Sequence, residues 1–147
     1  MRIGVVGLGR MGEIFAREFS KYYNVVFFDP RVRESKGLIR VRSLEKIVRQ
    51  SDVVVIAVSL GKVPKVAEEI GEILRKDRIR GKVIFDAASL KKEVIRVYKK
   101  YPEDVKVAGV HPLFGPGVRE LKGQKALIMQ INDRREDVVI VKNYLRK

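Results

Sequence analysis

The sequence predicts an α/β protein: a doubly wound, mostly parallel sheet of about six strands with flanking helices. Three observations carry this. Short apolar runs at residues 3–6, 24–28, 53–58, 82–85, 105–110 and 125–131 have the length of strands buried on both faces. Segments with apolar residues at three- and four-residue spacing lie between most of them. The first strand runs directly into a glycine-rich turn that opens the first helix.

Taking the elements in order, Ile3, Val5 and Val6 form the first strand, and Gly7-Leu8-Gly9-Arg10-Met11-Gly12 is a G-x-G-x-x-G turn. Behind it Met11, Ile14, Phe15, Phe19 and Tyr22 mark one face of a helix. Strand, turn and helix together are the fingerprint of a dinucleotide site in a Rossmann fold. Gly7 permits the tight turn, Gly9 lets the backbone approach a diphosphate, and Gly12 lets helix and strand pack closely. Leu8, Arg10 and Met11 complete the turn, whose free N–H groups and helix dipole suit phosphate. The other reading is a glycine turn that serves packing alone.

The second strand, 24–28, ends at Asp29, 22 residues beyond Gly7. An acid about 20 residues on binds the ribose hydroxyls of NAD; otherwise Asp29 is a strand-end cap or surface charge. Arg31 and Arg33 could hold the extra phosphate of NADP, but a carboxylate repels it, so NAD is expected over NADP. Residues 30–42 read as a loop or irregular crossover. Ser43 caps a short helix carrying Leu44, Ile47 and Val48. Residues 53–58 are the clearest buried strand, with Val58 and Ser59 at its carboxyl end, where ligands of such sheets bind. Val63, Val66, Ala67, Ile70, Ile73 and Leu74 mark the next helix, with Pro64 in its first turn.

After the fourth strand comes Asp86-Ala87-Ala88-Ser89, then a helix with Leu90, Val94, Val97, Tyr98 and Tyr101 inward. The fifth strand delivers His111-Pro112-Leu113-Phe114-Gly115-Pro116-Gly117 to a loop. After the sixth strand, Asp133 and Glu136 fit a helix-start pattern, and residues 138–145 read as a helix. The expected strand order is 3-2-1-4-5-6. Gly9, Ser59, Ser89 and His111 then all fall at strand ends on one edge.

Composition narrows the function. At 147 residues and 46% hydrophobic content, one domain spanning 1–147 is expected. No segment has the roughly 18 apolar residues of a membrane span, and the N-terminus enters a strand at once, so neither membrane nor signal peptide is expected. Cysteine is absent, so there is no disulfide or thiolate chemistry, and one histidine excludes a multi-histidine metal site within the chain. No metal is expected, and the cytoplasm is the expected compartment. The net charge of +14 admits a nucleic-acid binder, but no aromatic-interleaved motif accompanies it, and anionic small ligands suit it equally.

His111 to Pro116, HPLFGP, closely resembles the HPMFGP motif of prephenate dehydrogenases and their arogenate-using relatives. Asp86 to Lys91, DAASLK, resembles that family's D-x-x-S-x-K stretch, and the glycine turn and Gly123-Gln124 also fit. The resemblance covers essentially the whole chain. It implies NAD-dependent oxidative decarboxylation of prephenate to 4-hydroxyphenylpyruvate, a step of tyrosine biosynthesis, or the matching reaction of arogenate. His111 matches the histidine that takes the hydroxyl proton as hydride leaves, and Ser89 the serine that orients that histidine and the nicotinamide. Imidazole suits the task because its unperturbed pKa is near neutral. Ser89 could equally cap the helix that follows. With Ala87, Val58 and Ser59, the strand-end loops would line the nicotinamide side.

There are departures. Ala57-Val58-Ser59 stands where the family commonly has S-V-P, and Leu113 replaces the motif's Met. The resemblance also implies a C-terminal helical domain that dimerises and completes the substrate pocket. That domain is absent here, so the chain is expected to be weakly active or inactive alone, and a homodimer is expected only with it. The alternatives are a related dehydrogenase acting on another hydroxy acid or an imine, and a non-catalytic NAD(P)-binding regulatory module.

Overall fold

The computed structural model describes residues 1–89 and 91–146. Among them run β1 (Arg2–Val6), α1 (Arg10–Ser20), β2 (Asn24–Phe28), β3 (Ile39–Arg40), α2 (Leu44–Gln50), β4 (Val53–Ile56), α3 (Val63–Lys76), β5 (Val83–Asp86), α4 (Lys92–Tyr98), β6 (Lys106–Pro112), β7 (Ala126–Gln130) and α5 (Arg135–Leu145). They form one sheet in the order β3-β2-β1-β4-β5-β6-β7. All neighbours are parallel except β7, which runs antiparallel to β6.

The apolar strands are continuous because both faces are covered. In β4, Val54 and Ile56 join the core under α2, α3 and α4, while Val53 and Val55 join the core under α1 and α5. Each such fully buried side chain contributes about 1.5–3 kcal/mol through removal from water. Ser43 caps α2 as expected, its hydroxyl accepting from the Lys46 N–H at 3.1 Å.

Several expectations are corrected. The expected order 3-2-1-4-5-6 put the run at Val53, as third strand, outside the second; it pairs instead with β1 as the fourth strand, and the place beside β2 is taken by Ile39–Arg40, inside the stretch read as loop. A two-residue strand with Ile39 69% exposed leaves no hydrophobic period to read. Tyr22 lies beyond α1 and is 58% exposed. Tyr101 lies past the end of α4 yet is buried, its hydroxyl donating to the Ala67 carbonyl at 2.5 Å. Leu90 lies outside the described residues. The tail is helical as expected, but Asp133 and Glu136 do not cap it: Arg134 holds the cap position and makes no side-chain capping bond. The acid engaged there is Asp137, which accepts the Val107 N–H at 3.0 Å, just below the last β6–β7 pair, Ala108 with Gln130. Asp137 thus satisfies a strand N–H that β7 is too short to reach.

Candidate nucleotide and catalytic site

The carboxyl ends of β1, β2, β4 and β5 open onto a cleft of about 600 Å³, within the range of small-molecule sites. The glycine turn forms its base. Gly7 has φ +89°, and its N–H donates to the Phe28 carbonyl at 2.8 Å, locking the turn to the end of β2. A Cβ at Gly12 would collide with the Gly7 carbonyl, so α1 can start this close to the turn only with glycine there. Gly9 is the N-cap of α1, and nothing of the protein lies within 4 Å of where its Cβ would sit. That open side, beside the unpaired first N–H groups of α1, is a cradle that fits a diphosphate.

Ten of the sequence-derived residues line this cleft: Gly7, Gly9, Arg10 and Met11 from the turn, Asp29 and Arg31 after β2, Val58 and Ser59 after β4, and Ala87 and Ser89 after β5. Leu8 and Gly12 do not; both are buried behind the turn. His111 does not line it either, and sits half-buried on β6, the next strand. The register pairs Asp86 with Gly109, so Ser89 and His111 leave neighbouring strands a few residues past the same level. Phe28, Pro30, Leu44, Leu60, Lys62, Val66 and Glu69 also line the cleft and were not anticipated. They come from elements that only the tertiary fold brings together.

Asp29 is 4% exposed. One carboxylate oxygen accepts the Leu8 N–H at 2.8 Å, and the other accepts those of Arg31 at 2.8 Å and Val32 at 3.2 Å. Burial pushes its pKa up, but these N–H groups and the Arg31 charge together outweigh that and hold it below the ordinary carboxylate value. Asp29 therefore braces the glycine turn from behind while lining the cleft.

A second buried cluster stands behind the β5 and β6 ends, and reading the sequence missed it. Asp86 is fully buried and accepts the Ala88 N–H at 2.9 Å, the Tyr98 hydroxyl at 3.1 Å, and the Lys91 ammonium. Lys91, 7% exposed, also donates to the Val110 carbonyl at 2.7 Å. Its stem lies over Gly109, where an added Cβ would sit 3.2 Å from Cε. Burial lowers the Lys91 pKa against the opposing pull of Asp86, and burial raises that of Tyr98. The D-x-x-S-x-K spacing names Asp86 and Lys91, but no periodicity joins them to Tyr98. Among the described residues no group of three or more His, Cys, Asp or Glu could hold a metal, and no helix is long and apolar enough to cross a membrane.

Comparison with known proteins gives a concordant set. The family model described as prephenate dehydrogenase, nucleotide-binding domain, matches residues 33–142, which include Ser59, Ser89 and His111. A prephenate dehydrogenase [NADP(+)] from Saccharomyces cerevisiae is 28% identical over 137 residues, covering 86% of this chain and 29% of that protein. The prephenate dehydrogenase of Aquifex aeolicus, solved with hydroxyphenyl propionate and NAD+, superposes with a TM-score of 0.76 at 17% identity, over 99% of this chain and 56% of that one. A Plasmodium falciparum pyrroline carboxylate reductase with NADP bound gives 0.74 at 20% identity, over 99% and 54%. At these identities the solved structures speak for the fold. The chain spans about half or less of each relative's length.

Proposed function

Because the chain belongs to the prephenate dehydrogenase nucleotide-binding domain family, we propose that it is the cofactor-holding part of an enzyme that oxidises and decarboxylates prephenate or arogenate with NAD. The observation that carries this is the convergence of the glycine turn, Asp29, Ser59 and Ser89 on one cleft, with His111 on the adjoining strand.

The turn and the start of α1 would hold the diphosphate, Asp29 and Arg31 the adenosine ribose, and Val58, Ser59, Ala87 and Ser89 the nicotinamide side. When bound, the nicotinamide supplies the hydride acceptor. The chain's own contribution is at the substrate hydroxyl. As the carbinol C–H bond yields its hydride, the hydroxyl proton passes to the His111 imidazole and the C–O bond becomes a carbonyl. The ring–carboxylate bond then breaks, carbon dioxide leaves, and the bond's electron pair passes through the ring to the carbonyl oxygen, which takes back the proton from His111 as the ring becomes an aromatic phenol. Ser89, which can donate or accept, orients the imidazole. Lys91, through the Val110 carbonyl, holds the backbone from which His111 projects.

The test is fluorescence titration of this chain with NADH, together with turnover of prephenate and arogenate by any longer form its gene encodes. His111→Asn should abolish turnover and leave NADH affinity unchanged. Full turnover by that variant would remove the imidazole from the mechanism. An enzyme of hydroxy acids or imines is the competing reading, and turnover of such substrates but not of prephenate or arogenate would favour it.

A further inference from the structure

The two edges of the sheet are protected unequally. An edge strand carries a row of unpaired N–H and C=O groups, and proteins blunt it with brevity, charge or proline. The β3 edge is blunted: it is two residues long, and one of them is Arg40. The β7 edge is not. It runs five residues, Ala126–Gln130, without charge, proline or glycine. Residues 126–132 hold no charge at all, in a chain that is 34% charged, so this edge lacks the usual guard against pairing.

The ladder shows which groups β7 leaves free. The Leu113 N–H donates to the Lys125 carbonyl at 2.8 Å, so Lys125, Leu127 and Met129 turn their backbone groups to β6. Ala126, Ile128 and Gln130 then turn theirs outward, where no described strand follows. Leu127 and Met129 share a face with His111 and Gly109, their partners on β6. Leu127 is 55% exposed there.

This edge is complementary to itself. Two copies laid antiparallel about Ile128 set Ile128 against Ile128 and Ala126 against Gln130. The outward N–H groups of each strand then meet the outward carbonyls of the other. The alternate positions set Leu127 against Met129 of the second copy, in the non-hydrogen-bonded pairs where side chains stand closest, and so cover Leu127. Lys125 before the strand and Asp133 after it are exposed and opposite in sign, so each end of one copy meets the opposite charge on the other. We infer that the chain associates with a second copy of itself through β7, joining the two sheets into one across a two-fold axis. The nucleotide cleft, at the ends of β1, β2, β4 and β5, takes no part.

The test is sedimentation velocity of this chain over a range of concentrations, in about 0.3 M salt to screen the net charge of +14. A reversible dimer should form with a dissociation constant below about 100 μM. Ala126→Pro removes an outward N–H at the first, exposed residue of the strand and leaves the β6 ladder whole. Leu127→Lys places a charge on the uncovered face. Each should weaken the dimer by about tenfold or more while keeping the melting temperature within a few degrees of native. Residue-resolved amide exchange reads the register. At dimer-forming concentrations Ala126, Ile128 and Gln130 should exchange about tenfold or more slowly than in the dilute chain, and Leu127 and Met129, already bonded to β6, should change less. A chain that is monomeric at about 1 mM, or a dimer indifferent to both variants, overturns the inference. So does slow exchange of the outward amides in a monomer, which would mean that the chain covers this edge with its own residues.

Discussion

The Lys91 ammonium lies 2.7 Å from the carbonyl oxygen of Val110, the residue immediately before His111. The same nitrogen pairs with the fully buried Asp86, whose other oxygen accepts the Tyr98 hydroxyl. A strand end, the loop after it, a helix and the candidate base are thus joined through one buried ion pair.

Breaking that pair on one side should be costly. Lys91→Met leaves Asp86 charged and buried without its cation, and should lower stability by about 3–5 kcal/mol. The double variant Lys91→Met with Asp86→Asn should recover part of that loss, because no uncompensated charge remains. Chemical denaturation of the three proteins measures both. Equal stability of Lys91→Met and the native chain would mean that the pair is not formed.

Two glycines separate packing from ligand contact. Gly12→Ala drives a methyl group into the Gly7 carbonyl, and should cost stability and nucleotide affinity together. Gly9→Ala meets nothing of the protein within 4 Å. It should leave the melting temperature within a few degrees of native while weakening NADH, because the new methyl points into the cradle. Unchanged NADH affinity in Gly9→Ala would detach the glycine turn from the cofactor.

The acid limb of stability should report on Asp29. Its pKa is lowered on folding, so its contribution is complete above the ordinary carboxylate value, near 3.8, and is lost as pH falls through the lower folded value. Glu18 and Asp104 are lowered likewise and share the limb. Asp29→Asn should destabilise the chain at neutral pH and flatten the fall below about pH 4, read by urea midpoints across pH. An acid limb of native steepness in the variant would place the pH dependence elsewhere.

What the sequence revealed and concealed follows from the range of each interaction. Val53–Ile56 was legible because a strand buried on both faces needs only apolar neighbours in line. The glycine turn was legible because its geometry is set within six residues. Ile39–Arg40 was hidden because two residues carry no period, and with it went the identity of the third strand. Strand direction at β7 was hidden because the 13-residue connection after Pro112 has no hairpin turn signature. Its path depends on distant partners: Arg17 donates to the Arg119 carbonyl at 2.7 Å, and Glu18 accepts the Leu121 N–H at 3.1 Å. Among the candidate site residues, position in the cleft was readable, as at Ser59 and Ser89. The double engagement of Asp29 was not, since the N–H groups it accepts belong to a turn 21 residues away as well as to its own loop.

The most direct test of the account is a crystal structure of this chain grown with oxidised cofactor. The account predicts the diphosphate on the N–H groups at the start of α1 and the nicotinamide ring between the Ser59 and Ser89 loops, turned toward His111. A diphosphate bound elsewhere, or a nicotinamide ring directed away from His111, would contradict it.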